Sequence, residues 1–501
     1  MDGLQKLTPG GLELDALAGW LDAQPLRLTL DPDARGRIEA AAALVAKAAA
    51  GEAPVYGVNT GFGKLARVRI APADIADLQR RLVLSHMCGV GAPLDDATVR
   101  LVLLLKAASL GLGRSGVRPE TVDALLHLLA QDALPVIPGQ GSVGASGDLA
   151  PLAHVAAALI GVGRIRLAGQ ERPAGEALAA IGQPPLTLAA KEGLALLNGT
   201  QVSTALAIGG LLKARRLFDA ALVAGAMTTD AALGSDVPFD PRIQRARNQS
   251  GQIEVAAILK RLLAGSRIRD SHLHCERVQD PYSLRCQPQV MGAGRDMLAE
   301  AAVVLEREAN GVSDNPLVFV EEGEILSGGN FHAEPVAFAA DRVAVVMAEI
   351  GNLSERRMAL LTDSSQSSLP AFLSPNPGLN SGFMIPQVVS AALATENKHL
   401  ANAVATDTVP TCANQEDHVS LATYAARRLH TMADNLARLL AVEIIAAAQG
   451  IELRRPLRSS LALEQAVTTV REACAFLDDD RPLGGAIEAV AGMALAGRFQ
   501  P

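Results

Sequence analysis

The sequence predicts an all-α protein: a core bundle of long helices, preceded by a smaller, loop-rich helical part that carries one glycine-rich turn. Three observations predict it. Apolar residues make up 49 % of the 501 residues but aromatic ones only 3 %. The core must therefore be built from Ala, Leu and Val, which suit close-packed helices better than a β-sandwich. From residue 200 onward the apolar residues recur with a helical period over segments of about 20 to 35 residues, longer than the common helix of about 11 to 12. Before that point, glycine and proline interrupt the pattern repeatedly. The expected division is residues 1–197 as an N-terminal helical domain and 198–501 as the long-helix bundle with a C-terminal helical region.

In chain order, residues 14–23 and 33–50 read as helices, the second opened by the start signal Asp31-Pro32-Asp33. Tyr56-Gly57-Val58-Asn59-Thr60-Gly61-Phe62-Gly63 breaks the pattern. Its glycines make a loop that can approach a ligand closely. Helices follow at 73–86, 95–110 and 119–131. Next comes Gly139-Gln140-Gly141-Ser142-Val143-Gly144-Ala145-Ser146-Gly147, the glycine-rich turn, with a helix starting near Asp148. The long segments lie at 200–232, 284–309, 333–361, 384–402 and 415–449. Helices of this length bury one another's apolar stripes in a bundle.

Composition excludes several classes. A formal net charge of −8, without a basic run, argues against a nucleic-acid partner. Five scattered cysteines suit a reducing compartment better than a disulfide framework. No secretory leader pattern opens the sequence, and no uncharged apolar run reaches the roughly 18 residues of a membrane helix; the best candidate, 436–449, contains Arg438 and Glu443. A cytoplasmic protein without a membrane partner is expected.

Two stretches, 111–116 and 139–144, fit G-x-G-x-x-G. Neither sits in a βαβ unit with an acidic residue after the second strand, as dinucleotide binding requires, so both read as turns. Ser271-His272-Leu273-His274-Cys275 has no second ligand group at zinc spacing and reads as a solvated loop; no metal is expected. Nor is Gly144-Ala145-Ser146-Gly147 a nucleophile elbow.

The turn has its own chemistry, however. Glycine after serine leaves the next amide nitrogen unhindered. If that nitrogen is held against the Ala145 carbonyl, a five-membered ring can close. Loss of water then gives an imidazolone, and loss of the Ser146 hydroxyl gives an exocyclic methylene. A helix starting at Asp148 would place its positive N-terminus beside this electrophile.

Gly141 to His154, read as GSVGASGDLAPLAH, resembles the signature of the aromatic amino acid ammonia-lyases, which form 4-methylidene-imidazol-5-one (MIO) from Ala-Ser-Gly. Further blocks agree along nearly the whole chain: YGVNTGFG (56–63), LALLNGTQ (194–201), QDPYSLRCQPQVMG (279–292), SDNPLVF (313–319), GGNFHAEP (328–335), NSGFM (380–384) and ANQEDHVS (413–420). Within the family the resemblance is to the histidine-specific branch, through Ser85-His86 and through Glu416 in ANQEDH. A carboxylate and an imidazole can orient a substrate imidazole by hydrogen bonds.

The resemblance implies non-oxidative deamination of L-histidine to trans-urocanate and ammonia, in histidine degradation. The MIO would form autocatalytically from Ala145, Ser146 and Gly147, with help from Asp148 and no external cofactor. Tyr56 would be the base. Arg285 would fork onto the substrate carboxylate. Asn198, Gln279 and Tyr282 would hold the MIO oxygen, the carboxylate and the amine. Phe331 would line the pocket, and His86 and Glu416 would bind the imidazole. A homotetramer with active sites shared among three subunits is implied. A tyrosine or phenylalanine lyase of the same family, or an inactive helical homologue, stays open at this stage. Tyr56 and Tyr282 are two of only three tyrosines. In so aromatic-poor a chain, phenols beside glycine loops point to function; Tyr424, placed in mid-helix, reads as structural.

Overall fold

The computed structural model describes residues 5–22, 25–273 and 278–501. Among the described residues the architecture is helical, with twenty α-helices and four small sheets of two or three short strands. Helix boundaries follow local chemistry. The helix Pro32–Ala50 starts where Asp31 accepts a hydrogen bond from the Asp33 amide and Pro32 occupies the first turn. The helix Asp96–Gly111 starts where the Asp95 carboxylate accepts from the Thr98 amide at 2.9 Å. Each such cap satisfies an amide that the first turn leaves without a partner.

The five long segments appear as Gln201–Ala231, Gln287–Ala309, Glu334–Thr362, Met384–Leu400 and Ala422–Leu453. Two differ from expectation. Residues 284–309 are split, with a separate turn of helix at Tyr282–Arg285. The last helix begins at Ala422 rather than 415. Cys412, Ala413, Asn414 and Leu421 all have positive φ, which no helix accommodates. Side-chain bonds hold that stretch as a loop: the Thr408 hydroxyl donates to the Val419 carbonyl and accepts from the Val419 amide. Tyr424 therefore lies in the first turn of its helix, exposed, with the Arg427 guanidinium over its ring.

Two compact units make up the chain. The first runs up to Gly209 and includes Ala302–Asp341 and Ala403–Arg427; the second comprises Gly210–Ala301, Arg342–Asn402 and Arg428–Pro501. The first unit's core includes Val99, Val102, Leu103, Val155, Ala156, Leu196 and Leu197, all nearly or fully buried. The second unit buries a complete ion pair, Arg357–Glu443, with the Ser354 and Thr228 hydroxyls donating to the same carboxylate.

In the first unit one small sheet bears directly on the site. Strand Pro138–Gln140 pairs antiparallel with Val90–Pro93, which delivers the chain into the glycine-rich turn. The pairing is antiparallel and the turn runs eight residues before the next helix, so the βαβ context of a dinucleotide site is absent there. The other glycine motif joins the helices Asp96–Gly111 and Pro119–Ala130.

Candidate active site

The turn at 141–148 is as compressed as its composition implies. Ala145 and Gly147 are bridge partners across Ser146, and Gly147 also pairs with Gly199. Gly147 has φ +67°, and a Cβ there would lie 2.1 Å from the Gly199 carbonyl oxygen. Gly144 has φ +74°, and its Cβ would lie 2.2 Å from the Ser420 hydroxyl. Only glycine fits either place.

Ser146 donates its hydroxyl to Asn198 Oδ1 at 2.7 Å. The amide orientation of Asn198 is decided by its other end, where Nδ2 donates to Asp314 Oδ1 and to the Asn315 carbonyl at 3.2 and 3.3 Å. Asp148 is fully buried. Its Oδ1 accepts from Ser142 and Thr423, and its Oδ2 accepts from the Ser203 amide and hydroxyl. Burial pushes its carboxyl above the ordinary value, against those hydrogen bonds. The helix beyond it is Leu149–Leu159, and Asp148 makes no side-chain cap to it; its carboxylate ties the turn to two other segments instead.

Above the turn lies a cavity of about 790 Å³. Of the residues singled out in the sequence, it is lined by Tyr56, Ala145, Ser146, Asn198, Phe331 and Glu416. The Tyr56 hydroxyl accepts from the Gly63 amide at 3.3 Å, and its ring meets Phe62 edge-on. Burial raises its phenol above the ordinary value. Glu416 accepts from the Thr411 hydroxyl at 2.6 Å.

Other predicted residues lie elsewhere. His86 ends the helix Ile75–His86 and contacts Ser85 and the Leu82 carbonyl; it does not line the cavity. Gln279, Tyr282 and Arg285 belong to the second unit and do not line it either. The Arg285 guanidinium sits 4.7 Å from the centre of the Tyr282 ring, which is exposed.

The cavity also contains residues that sequence reasoning passed over: Lys64, Arg67, His332, Asp417 and His418. His332 and His418 stand inside blocks already singled out, GGNFHAEP and ANQEDHVS, and that was their available signal. Their rings lie 5.6 Å apart, and together with Glu334 they bring one potential metal-ligand atom each within 4.8 Å of one another. His272 of the expected loop is engaged by the Ile268 and Gly234 carbonyls, while His274 and Cys275 lie outside the described residues.

Comparison with known proteins identifies the family. The family model described as aromatic amino acid lyase matches residues 12–472. The chain belongs to the aromatic amino acid lyase family. Its relatives include a histidine ammonia-lyase of Rhodospirillum rubrum, 58 % identical over 98 % of this chain and 96 % of that protein. Among solved structures, the histidine ammonia-lyase of Trypanosoma cruzi superposes with a TM-score of 0.91 at 38 % identity, covering 99 % of this chain and 94 % of that one. The tyrosine aminomutase of Streptomyces globisporus superposes at 0.93 with 33 % identity, covering 99 % and 97 %. The all-helical expectation agrees with these folds, and the lyase reading with the family.

Proposed function

We propose that this lyase converts L-histidine to trans-urocanate and ammonia, using an MIO made from its own Ala145, Ser146 and Gly147. The observation that carries the reading is the constrained turn itself, opening on a cavity that also holds Tyr56 and Glu416, in a chain 58 % identical to a histidine ammonia-lyase.

The residues fit the group. Gly147 brings an unhindered nitrogen into a doubled-back turn, and Ser146, whose hydroxyl must leave, is held by Asn198. When formed, the MIO supplies an electrophilic methylidene that turns the substrate amine into a better leaving group.

The chain's own residues do the rest. The Cβ–H and Cα–N bonds of the substrate break, the Cα=Cβ bond forms, and ammonia departs. Tyr56 takes the β-proton at its phenol oxygen. As burial raises that phenol, the proton-free form must be favoured by charge arriving with the substrate. Glu416 accepts a hydrogen bond from the imidazole N–H; an apolar ring would leave the carboxylate without that bond. Phe331 packs on the ring. Asn198 holds the MIO oxygen.

His86, Gln279, Tyr282 and Arg285 complete the site in a homotetramer in which neighbouring copies share each cavity. Tyr282 is 70 % exposed in the single chain, a cost a phenol avoids when a second copy covers it. Residence in the cytoplasm suits the free thiols of Cys88, Cys286, Cys412 and Cys474, and among the described residues no helix is long and apolar enough to cross a membrane.

The test is side-by-side turnover of histidine, tyrosine and phenylalanine, following ammonia and the unsaturated product. Histidine should be strongly preferred, and Ser146→Ala should be inactive. An intact mass showing the deficit of two waters is expected for the native protein and not for Ser146→Ala. A native chain of unshifted mass sinks the reading.

A further inference from the structure

Lys106 sits in the middle of the helix Asp96–Gly111, within the apolar run Leu103-Leu104-Leu105-Lys106-Ala107-Ala108, and is 1 % exposed. Its Nζ donates to the carbonyl of Ala195 at 3.0 Å and to that of Asn198 at 2.8 Å. Both carbonyls belong to the end of the short helix Glu192–Leu197, where backbone oxygens lack amide partners.

A second lysine, Lys191, is also fully buried and donates to Asp314 Oδ2 at 2.5 Å. The other oxygen of Asp314 accepts from Asn198 Nδ2. Asn198 is thus held at both its backbone and its side chain by buried ionisable groups, and its remaining oxygen receives Ser146.

We propose that Lys106, together with the Lys191–Asp314 pair, positions Asn198 against the electrophile, and that the turn at Ala145-Ser146-Gly147 neither matures fully nor reacts at full rate without them. This rests on the reading of that turn as the MIO precursor.

The alternative is that Lys106 merely fills space. A methionine would fill the same space without burying an amine, a burial that pushes Lys106 down to about 7. What methionine cannot do is tie together two carbonyls of the segment that carries Asn198. The tie survives either protonation state, since a neutral amine still has two N–H donors for its two acceptors.

For Asn198 the consequence is orientation. Without the carboxylate of Asp314 at Nδ2, only the Asn315 carbonyl at 3.3 Å still favours the amide oxygen rather than the nitrogen towards Ser146. The three residues touch neither substrate nor reacting atoms, so they are positioning residues.

The test compares the native enzyme with Lys106→Met, Lys106→Arg, Asp314→Asn and Ser146→Ala. The readouts are the two-water mass deficit of the intact chain, the urea midpoint, and kcat and KM for L-histidine per matured chain. Lys106→Met should fold and mature only in part. Its matured fraction should lose about 10- to 100-fold in kcat, the rate equivalent of one charge-assisted hydrogen bond, with KM changed by less than about threefold. Lys106→Arg should recover part of both losses, which a purely packing role does not predict.

A fully matured Lys106→Met with native kcat overturns the inference while leaving the MIO reading intact. If Lys106→Met does not fold, Asp314→Asn decides in the same way: partial maturation with lowered kcat supports the inference, and native values for both overturn it. A native enzyme without the mass deficit removes the MIO reading first, and this inference with it.

Discussion

Asp148 offers the sharpest quantitative test of how the turn is held. Its two oxygens are not equivalent. Oδ1 faces two hydroxyls, Ser142 at 3.1 Å and Thr423 at 2.6 Å. Oδ2 faces the Ser203 hydroxyl and a backbone N–H, that of Ser203 at 2.7 Å. Hydroxyls can reverse direction; an amide N–H cannot. In Asp148→Asn the new oxygen must therefore stay at the Oδ2 position, and the NH2 must take the Oδ1 position. There it can donate to Thr423, whose own proton turns to Ser142 Oγ at 2.9 Å, while Ser142 turns its proton to the Gly147 carbonyl at 3.4 Å and still accepts from the Gly144 amide at 3.1 Å. Every original partner stays satisfied, and one N–H of the new amide meets no free lone pair. The lost charge was itself costly to bury, which offsets part of that orphan, so Asp148→Asn should destabilise by no more than about 1–2 kcal/mol.

In Asp148→Ala the Ser203 hydroxyl turns to the Thr200 carbonyl at 3.0 Å, but the Ser203 amide is left buried without an acceptor. That orphan costs about 1–3 kcal/mol, and the void left by the carboxylate about 1 more, for a total of about 2–4. Urea midpoints are the measure, because a chain of two units need not unfold in one step. Asp148→Ala should unfold at lower urea than Asp148→Asn, and the intact mass of Asp148→Ala should lack the two-water deficit. Equal midpoints, or the reverse order, would refute the reasoning. A pH arm adds a sign. The folded carboxyl is raised above 3.8, so between 3.8 and the raised value the folded chain binds more protons than the unfolded one, and native stability falls as pH climbs through that window. Asp148→Asn should lack this slope.

Three further outcomes are expected. Tyr56→Phe should keep the two-water mass deficit but lose about 10²- to 10⁴-fold in kcat; because burial raises the native phenol, native kcat/KM should climb as pH rises past neutrality, and the phenylalanine variant should not follow. Glu416→Ala should cost about 1–3 kcal/mol in kcat/KM for histidine while changing turnover of phenylalanine little or upward, read from parallel steady-state assays. Lys106 is lowered from 10.5 to about 7, so across that interval the unfolded chain binds more protons; native stability should rise with pH there, and urea midpoints of Lys106→Met should be flatter.

The long helices were legible because their apolar period is sustained, and the start of the helix at Pro32 because Asp31 before a proline is a strong cap. The turn was legible because its chemistry needs particular neighbours in sequence. Legibility ended where tertiary contacts choose the backbone. Residues 415–421 carry Val419 and Leu421 in a pattern that suits a helix. Leu421 instead takes φ +55°, its amide donates to the Val143 carbonyl at 3.0 Å, and Ser420 fills the space beside Gly144. Nothing local to 415–421 specifies a partner at 143. Lys191 gave no signal in sequence either, since a lysine before Glu192 reads as a helix-end surface residue. Lys106 did give one: a cation inside the apolar run 101–108 is either at a surface or has a buried partner, and the apolar flanks on both sides argue for the second.

The site's location follows from helix ends. Helix Leu149–Leu159 begins after the turn, Glu192–Leu197 ends at Asn198, and Gln201–Ala231 begins three residues later. Each end exposes backbone groups that its own helix cannot satisfy. They satisfy one another here: the Asp148 amide donates to the Gly199 carbonyl at 2.7 Å, the Ser203 amide of the next helix finds the Asp148 carboxylate, and the carbonyls of Ala195 and Asn198 find Lys106. A compressed turn persists only where its surroundings over-determine it. Three interlocked helix ends provide that, since relaxing the turn would leave several buried polar groups without partners, at about 1–3 kcal/mol each. The same interlock explains why glycine is required at Gly147: the polypeptide backbones of residues 147 and 199 must touch for the helix ends to reach one another, and a single Cβ would hold them apart.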